Sequence, residues 1–474
     1  MSPPTPTNPT LPQNSPNFRF AQMRTEGRDA MIQTQTQPGP KAPPFTAALS
    51  SNDIIDKSAY APGAGGAPKA PGGKPPRSNF LPKNLRPVPA FYPLEKSTRL
   101  VEYEQASEIA ERISESLRSL SIQAIYDNET ATASLLTVEN VEMHLALWKA
   151  PATSQQEGVL VELQRRKGDS IVFHRYSRSI LDAAVGDIDV SNLPYDMQDA
   201  MYSKKAQRLL SMELKNEEKS EHENAVIAIE IAHGLLMKDR MDARQLGLES
   251  LCLLTDARKT GQVTAMLASH AVLLGSTRGV EIAGVETDDD LMLDEGPFQE
   301  IREAILSLVQ FSRIGEDEVD ETDIVMSPDS EQMTLLHNLA LAVLANALDN
   351  VENPERFDDN VPEDSKPRSR LRTASSTDVA NDFLQQTEDV TNKDVLKTLI
   401  SELGKAQQKP HNAALSAKCL GSLCRASDEA RKRAKELGAK NVVSTALDVG
   451  VRTHLKLETA CKTVVKVLER PDQD

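Results

Sequence analysis

The chain has 474 residues, of which 39% are hydrophobic and only 4% aromatic, and its formal net charge is −16. The length allows two or three domains, and the low apolar fraction indicates that unstructured segments dilute the folded parts. The acidic balance argues against nucleic acid as the main ligand, because phosphate binding requires a basic surface.

Residues 1–95 form a tail that we expect to be disordered. They hold 19 of the 28 prolines, and this composition cannot bury enough apolar surface to offset chain entropy. The tail is basic, since residues 1–100 contain 12 Lys and Arg against 5 Asp and Glu, which leaves −23 for the rest of the chain. Two apolar islands, Asn17–Met31 and Phe80–Leu94, are either plain linker or contact segments. The first would fold on a partner, and the second would pack on the next domain.

Residues 100–188 predict a small α+β module. Its first helix carries apolar residues at helical spacing, namely Ala106, Ile109, Ala110, Ile113, Leu117 and Leu120. Strand patterns follow at Ile122–Tyr126, Ala131–Val138, Val141–Trp148, Val159–Arg166 and Ile171–Phe173, before a second helix at Arg175–Ala184. We therefore expect a four- to five-stranded antiparallel sheet with both helices on one face, and a hairpin around residues 167–169.

The module resembles the kinase-associated C-terminal domain of the AMP-activated and MARK-type kinases. The resemblance rests on the stretches EIAERISESLRSLSIQAIYD, VEMHLALWKA and GVLVELQRRKGDSIVFHRYSRSILDAA. It implies a regulatory module whose surface contacts anionic phospholipids or a kinase domain. The chain departs from those kinases because it lacks the Gly-rich loop, the H-R-D loop and the D-F-G signature.

Residues 189–223 predict a helical linker that ends in a charged boundary. Its short helix would carry Tyr202, Ala206, Leu209 and Leu210 on one stripe. From Asn224 onward, apolar helical patterns follow one another, and we divide them into helical repeats at 224–349, a disordered insertion at 350–390 and armadillo-like repeats at 391–470. Acidic stretches at 286–296 and 315–330 predict two further mobile breaks.

The last segment resembles an armadillo repeat. The residues LSAKCLGSLCRASDEARKRAKELGAKNVVSTAL place a long helix, a short charged helix, a glycine corner at Gly438 and a further helix in that order. Because single repeats cannot bury their own faces, the resemblance implies a stack. The fold class that we predict is mainly α: an armadillo- or HEAT-like α-α superhelix, plus the α+β module. An irregular helical bundle is the alternative.

Residues suited to catalysis or metal binding are scattered. The Gly63–Gly66 run follows no strand and opens no helix, so it cannot present a phosphate site. His233 lies in an apolar helix, where a structural role is expected, and the acidic stretch 316–323 lacks the spacing of an EF-hand. No nucleophile motif is present. We therefore predict no enzyme activity, no cofactor and no metal site.

The four cysteines are predicted to be buried free thiols. Cys252, Cys419, Cys424 and Cys461 form no C-x-x-C pair and lie in apolar helical context. Free thiols persist in a reducing compartment, the N-terminus has no apolar signal region, and no apolar run reaches the roughly 18 residues of a membrane span. The predicted location is the cytoplasm.

Two groups of residues are candidate contact or modification sites. Arg165, Arg166, Lys167, Arg175 and Arg178 predict a basic patch for an anionic membrane surface or an acidic partner. The alternative is a solvated sheet edge that discourages aggregation. Ser375 follows Arg370 and Arg372, which suits a basophilic kinase, so we predict a phosphosite there.

The combined interpretation is a non-enzymatic scaffold or adaptor. It would bind protein partners through a groove of the helical repeats, whose acidity favours a basic or neutral ligand. No nucleic acid is expected. The alternative is a regulatory subunit of a protein kinase or of a transport receptor.

Overall fold

A computed structural model describes residues 80–89, 91–102, 105–150, 158–186, 218–277, 280–282, 295–310, 328–353, 371–391 and 394–470. Several predicted segments lie outside the described residues, apart from the ends of some ranges. They are the first island at Asn17–Met31, the glycine run at 63–66, the linker helix within 189–223 and the acidic breaks at 286–296 and 315–330. All described residues belong to one compact unit, Tyr60–Asp474.

The first region of this unit, which we call the α+β module, is built on one sheet. Its elements are β1 (Arg86–Pro87), β2 (Thr98–Glu102), α1 (Ala106–Ser119), β3 (Gln123–Asp127), β4 (Thr132–Leu136), β5 (Glu142–Lys149), β6 (Gly158–Lys167) and α2 (Ser170–Val185). Five antiparallel strands run in the order β2-β6-β5-β4-β3, and β1 adds two residues parallel to the end of β5. The small antiparallel sheet with two helices is thus confirmed.

Strand alternation places the core of the module between the sheet and its two helices. In β6, Val159, Val161 and Leu163 are buried and point to one face. Ile109, Ile113 and Leu117 form the buried stripe of α1. These residues belong to one apolar cluster, together with Phe173 and Ile180 of α2.

The predicted strand at Ile171–Phe173 is wrong, and so is the hairpin that it would close. Asp169 accepts hydrogen bonds from the backbone N–H groups of Ile171 and Val172 at 2.7 and 2.9 Å, which makes it the N-cap of α2. A short apolar run does not distinguish a strand from a helix start. The fifth strand is β2, which precedes α1 and pairs with β6.

The end of the predicted disordered tail packs on the sheet from Phe80 onward. Phe80 is buried and stacks on Tyr126, with ring centroids 4.9 Å apart. Tyr92 donates to the carboxylate of Glu162 at 3.2 Å, and so does the indole N–H of Trp148 at 3.0 Å. Phe80 thus joins the apolar cluster between the sheet and the helices, whereas Tyr92 lies against the opposite face of the sheet. The island packs on the module, as its contact interpretation predicted.

The second region, which we call the helical region, follows the module. Its helices are α3 (Glu218–Leu236), α4 (Met241–Leu254), α5 (Ala257–Thr260), α6 (Gln262–Leu274), α7 (Gly296–Val309), α8 (Pro328–Glu352), α9 (Ser376–Thr391), α10 (Val395–Gly404), α11 (Pro410–Ala426), α12 (Asp428–Glu436), α13 (Ala439–Thr453) and α14 (Leu455–Leu468). Two short strands, β7 (Val280–Ile282) and β8 (Leu371–Thr373), pair antiparallel. The mainly helical fold class is confirmed.

A single apolar cluster runs from α3 to α14 and shares no residue with the cluster of the module. Leu, Ala, Val and Ile dominate it, as expected for helix-on-helix packing. Gly438 has φ +77° and joins α12 to α13 at the predicted corner. Gly450 allows α13 to approach α14, because a Cβ there would lie 2.6 Å from the backbone nitrogen of Glu458.

The predicted disordered insertion at 350–390 is wrong where the structure describes it. Residues 350–352 complete α8, and β8 and α9 follow. Val379 and Phe383 of α9 are buried in the common apolar cluster. They lie four residues apart, a helical spacing that the polar composition of this stretch obscures.

Candidate functional site

The structure does not bring the five predicted basic residues onto one surface. Arg165, Arg166 and Lys167 are the last residues of β6, and they lie at a bulge in its pairing with β5. Arg175 and Arg178 lie within α2, on the helix-covered side of the sheet. Arg166 belongs to the opposite side, since its charge acts on Tyr92 and His144 there.

Most of these cations already have partners. Lys167 pairs with Glu142 at 3.6 Å, Arg175 with Glu139 at 3.4 Å and Arg178 with Asp182 at 3.7 Å. Arg165 donates to the carbonyl oxygen of Gly168 at 2.7 Å. The three carboxylates reduce the local positive charge. Contact of these residues with an anionic surface stays a prediction, and so does the alternative of a solvated edge.

Ser375 is exposed and lies immediately before α9. Its hydroxyl oxygen accepts from the backbone N–H of Thr377 at 3.3 Å, and its carbonyl oxygen accepts from Val379 at 3.0 Å. It is thus the N-cap residue of α9. Arg370 lies outside the described residues, and phosphorylation of Ser375 stays a prediction.

All four cysteines are free thiols, as predicted, but Cys252 is only partly buried, so the prediction of burial holds for the other three. Cys419, Cys424 and Cys461 are buried, and burial raises the pKa of each to about 12. His233 has a side-chain partner, as its predicted structural role requires: its Nε2 lies 2.7 Å from a carboxylate oxygen of Glu300 on α7.

The site that sequence reasoning missed lies where the α+β module meets the helical region. We call it the docking interface. Its residues are Arg118, Ser121, Gln123 and Leu136 of the module, and Gln408, His411, His454, Lys456 and Glu458 of the helical region. Arg118 donates to Glu458 at 3.0 Å, and both side chains are largely buried. The Gln123 amide donates to the carbonyl oxygen of Gln408 at 2.9 Å.

Ser121 caps a helix that begins more than 300 residues later in the chain. Its hydroxyl oxygen accepts from the backbone N–H of Lys456, in the first turn of α14, at 3.0 Å. Ser121 is buried and has φ +56°, a conformation that L-residues adopt rarely. This turn of the module therefore provides the acceptor for one N–H group in the first turn of α14.

Two histidines of the helical region form a directed hydrogen-bond chain that ends on a carbonyl group of the module. The backbone N–H of Leu457 donates to Nδ1 of His454 at 3.1 Å, so the neutral ring carries its proton on Nε2. That Nε2 lies 2.9 Å from Nδ1 of His411, and Nε2 of His411 lies 3.1 Å from the carbonyl oxygen of Leu136. In one tautomer of each neutral ring, every nitrogen is satisfied.

The environment of the two rings favours their neutral forms. Burial, the neighbouring His411 and Lys456 lower the pKa of His454 to about 3. Burial also lowers the pKa of His411, with Lys456 acting in the same direction and the Leu136 carbonyl and Glu139 opposing it. The arrangement is a polar junction whose hydrogen bonds depend on protonation state.

Comparison of the chain with known protein families, with curated proteins and with solved structures found no match in any of the three. The two resemblances therefore rest on the residue patterns alone. Among the described residues, no group of three or more His, Cys, Asp and Glu side chains could hold a metal ion. In the same part of the chain, no helix combines the length and the apolar content that crossing a bilayer requires.

Sequence reasoning had little chance of finding the docking interface. His454 marks the break between two helical patterns, and His411 follows the proline that opens α11. Neither position reveals that the rings touch or that a module residue caps α14. Those facts depend on how the two regions dock.

Proposed function

We propose that the protein is a non-enzymatic scaffold or adaptor that binds protein partners through its helical region. The observation that carries this proposal is an apolar outer face on the first two helices. Ile227 and Ile231, one turn apart on α3, are 52% and 60% exposed, while Ile229 between them is buried. On α4, Leu246 and Leu253 are 51% and 48% exposed.

This face is unusual for the end of a helical stack. A terminal helix pair normally turns a polar side to solvent, because nothing packs beyond it. Isoleucine pairs at i and i+4 are the anchors that a partner helix or strand would cover. A Cβ built on Gly234 meets nothing within 4 Å, so another chain could approach the backbone of α3 closely.

We propose further that the helices of this region are arranged as armadillo-like repeats. The order of a 17-residue α11, a 9-residue α12 and a 15-residue α13 around the left-handed Gly438 agrees with the armadillo-like pattern. A superhelix of such units would present the helical surfaces in sequence, with α3 and α4 at its beginning. A kinase-regulatory role of the α+β module is the second half of the proposal, and it rests on the residue resemblance.

The test exchanges the exposed isoleucines for acids in the full-length protein. We expect Ile227→Glu/Ile231→Glu to remove specific partners in quantitative affinity purification with mass spectrometry. Ile171→Glu is the matched control, because Ile171 is 78% exposed on α2 of the module. The free energy of unfolding of both variants should lie within about 0.5 kcal/mol of that of wild type, since the replaced side chains are exposed.

Partners that are lost with the double variant and retained with the control would support the proposal. An identical set of proteins recovered with wild type and both variants would refute binding through this face. Co-purification of a stoichiometric kinase that depends on the module would favour the kinase-regulatory alternative.

A further inference from the structure

The exposed side of α3 carries opposite charges at its two ends and two isoleucines with a glycine between them. We call Glu223, Ile227, Ile231, Gly234 and Lys238 the α3 stripe, and all five residues are exposed. The first four recur at spacings of three or four residues, which places them along one side of the helix. Lys238 lies two residues past the end of α3.

We propose that the α3 stripe joins two copies of this chain, with the two α3 helices antiparallel about a two-fold axis. This inference rests on the partner face proposed above, because it names a second copy of the chain as the partner that covers the α3 part of that face.

A two-fold axis requires a surface that is complementary to itself, and the α3 stripe meets this requirement. Ile227 and Gly234 have the same midpoint in the chain as Glu223 and Lys238. When the axis passes through that midpoint, each member of a pair faces the other member of the same pair in the second copy. Both pairs therefore form twice in one dimer.

The apolar pair supplies a close contact. Ile227 and Ile231 are 52% and 60% exposed, so covering them removes apolar surface from water. Gly234 has no side chain, and a Cβ built on it meets nothing within 4 Å. Ile227 of one copy thus lies over the second copy's Gly234, where the backbones of the two helices approach each other.

The charged pair selects the antiparallel arrangement. Glu223 faces the second copy's Lys238, whereas a parallel arrangement would set each charge against its own kind. Among the described residues neither side chain forms an ion pair within the chain. Glu230 lies at the edge of the α3 stripe and is exposed, so its carboxylate stays in water.

Sedimentation equilibrium of the full-length protein tests the association, because it measures mass independently of shape. At micromolar concentrations we expect a species of twice the 51.9 kDa of one chain, which dissociates on dilution.

Charge reversal tests the register. Glu223→Lys and Lys238→Glu each set two like-charge pairs across the axis, so each should raise the dissociation constant of the dimer about tenfold or more. The double variant Glu223→Lys/Lys238→Glu should dimerise as wild type does. An equimolar mixture of the two single variants should also dimerise, because opposite charges face each other again. Glu436→Lys is the control, since it makes the same charge change at the exposed end of α12.

A substitution of Gly234 tests the close approach. Gly234→Gln fills the space that Ile227 of the second copy occupies, so it should weaken the dimer. Gly234→Ala adds a single methyl group and should weaken it less. Both variants should fold, because the site is open in one chain and both residues favour a helix over glycine.

The proposal is overturned if wild type is monomeric at every concentration, or if its dimer ignores Glu223→Lys and Gly234→Gln. It is also overturned if neither the double variant nor the mixture restores a dimer that the single variants weaken. A monomeric wild type that still loses partners with Ile227→Glu/Ile231→Glu would overturn this inference alone and would leave the proposed function standing. A dimer of the expected register whose other partners survive that variant would have the opposite meaning.

Discussion

The α+β module and the helical region are each stabilised by an apolar core, but polar contacts join them to each other. Each has its own buried apolar cluster, built on a sheet in the first and on stacked helices in the second. The junction between them consists of hydrogen bonds and an ion pair around Ser121, His411 and His454. Apolar burial stabilises each region separately, whereas the described contacts at the junction are polar.

The largest expected effect lies in the helical core. Phe383 of α9 is fully buried, so Phe383→Ala should destabilise the helical region by about 3–5 kcal/mol. The stability of the module should not change. Denaturant unfolding, monitored by hydrogen exchange in peptides from the module and from the helical region, measures the two separately. A loss below about 1 kcal/mol would show that α9 does not pack in the core.

Acid should weaken the helical core through one buried carboxylate. Burial alone would raise the pKa of Glu402, but His337 and Lys405 lower it to about 2. The ionised carboxylate therefore supports stability fully above its ordinary value of about 4.5, and this support, on the order of 3 kcal/mol, is lost as pH falls toward 2.

Thermal unfolding of wild type and Glu402→Gln between pH 3 and pH 7 checks this expectation. The difference in melting temperature between the two proteins should be largest between pH 5 and pH 7 and should fall by about half by pH 3. A constant difference over the whole range would refute the role of the charge.

A smaller effect is expected at the junction. Ser121→Ala removes the acceptor of the Lys456 N–H, which should weaken docking by about 1 kcal/mol. Exchange at Leu455–Glu458 should rise about fivefold at pH 7. Ser97→Ala is a suitable control, since its hydroxyl bonds to Leu163 within the module. Equal exchange at Leu455–Glu458 in wild type and in Ser121→Ala would show that the cap contributes nothing.

The smallest effect concerns the predicted phosphosite. Ser375 is the N-cap of α9, where negative charge interacts favourably with the helix dipole. Ser375→Asp keeps the cap and should stabilise the helical region by about 0.3–1 kcal/mol at low salt. Ser444→Asp is the control, because it adds the same charge at an exposed position in the middle of α13. Destabilisation by Ser375→Asp in thermal unfolding would contradict the N-cap assignment.

The sequence predicted elements better than it predicted their assembly. Helical stripes and strand alternation located α1, β3 to β6 and most of the later helices, because those patterns are local. The error at Ile171–Phe173 came from a run of three apolar residues that fits both periods, which only the cap by Asp169 resolves. The folding of α9 was missed because its few core residues lie in polar sequence.

The candidate sites show the same contrast between local patterns, which the sequence predicts, and tertiary contacts, which it does not. Arg165, Arg166 and Lys167 are adjacent in sequence, but Arg166 lies on the side of the sheet opposite the helices. Lys167 and Arg175 pair with Glu142 and Glu139, which no local pattern predicts. Conversely, Ser121 and Lys456 are far apart in sequence and bond directly. Contacts between regions depend on tertiary docking, and no local pattern encodes them.

The most direct test of the account asks whether the module docks on the C-terminal helices at all. Gln123→Cys and Gln408→Cys are introduced together into a full-length protein carrying Cys252→Ser, since the other three cysteines are buried. At pH 7, a bismaleimide of about 8 Å should join residues 123 and 408 within one chain, because the wild-type side chain of Gln123 lies 2.9 Å from the carbonyl oxygen of Gln408. A high yield of this cross-link, with little from an Ile171→Cys/Gln408→Cys pair, is the predicted result. Equal yields from the two pairs, or no intramolecular product, would contradict docking.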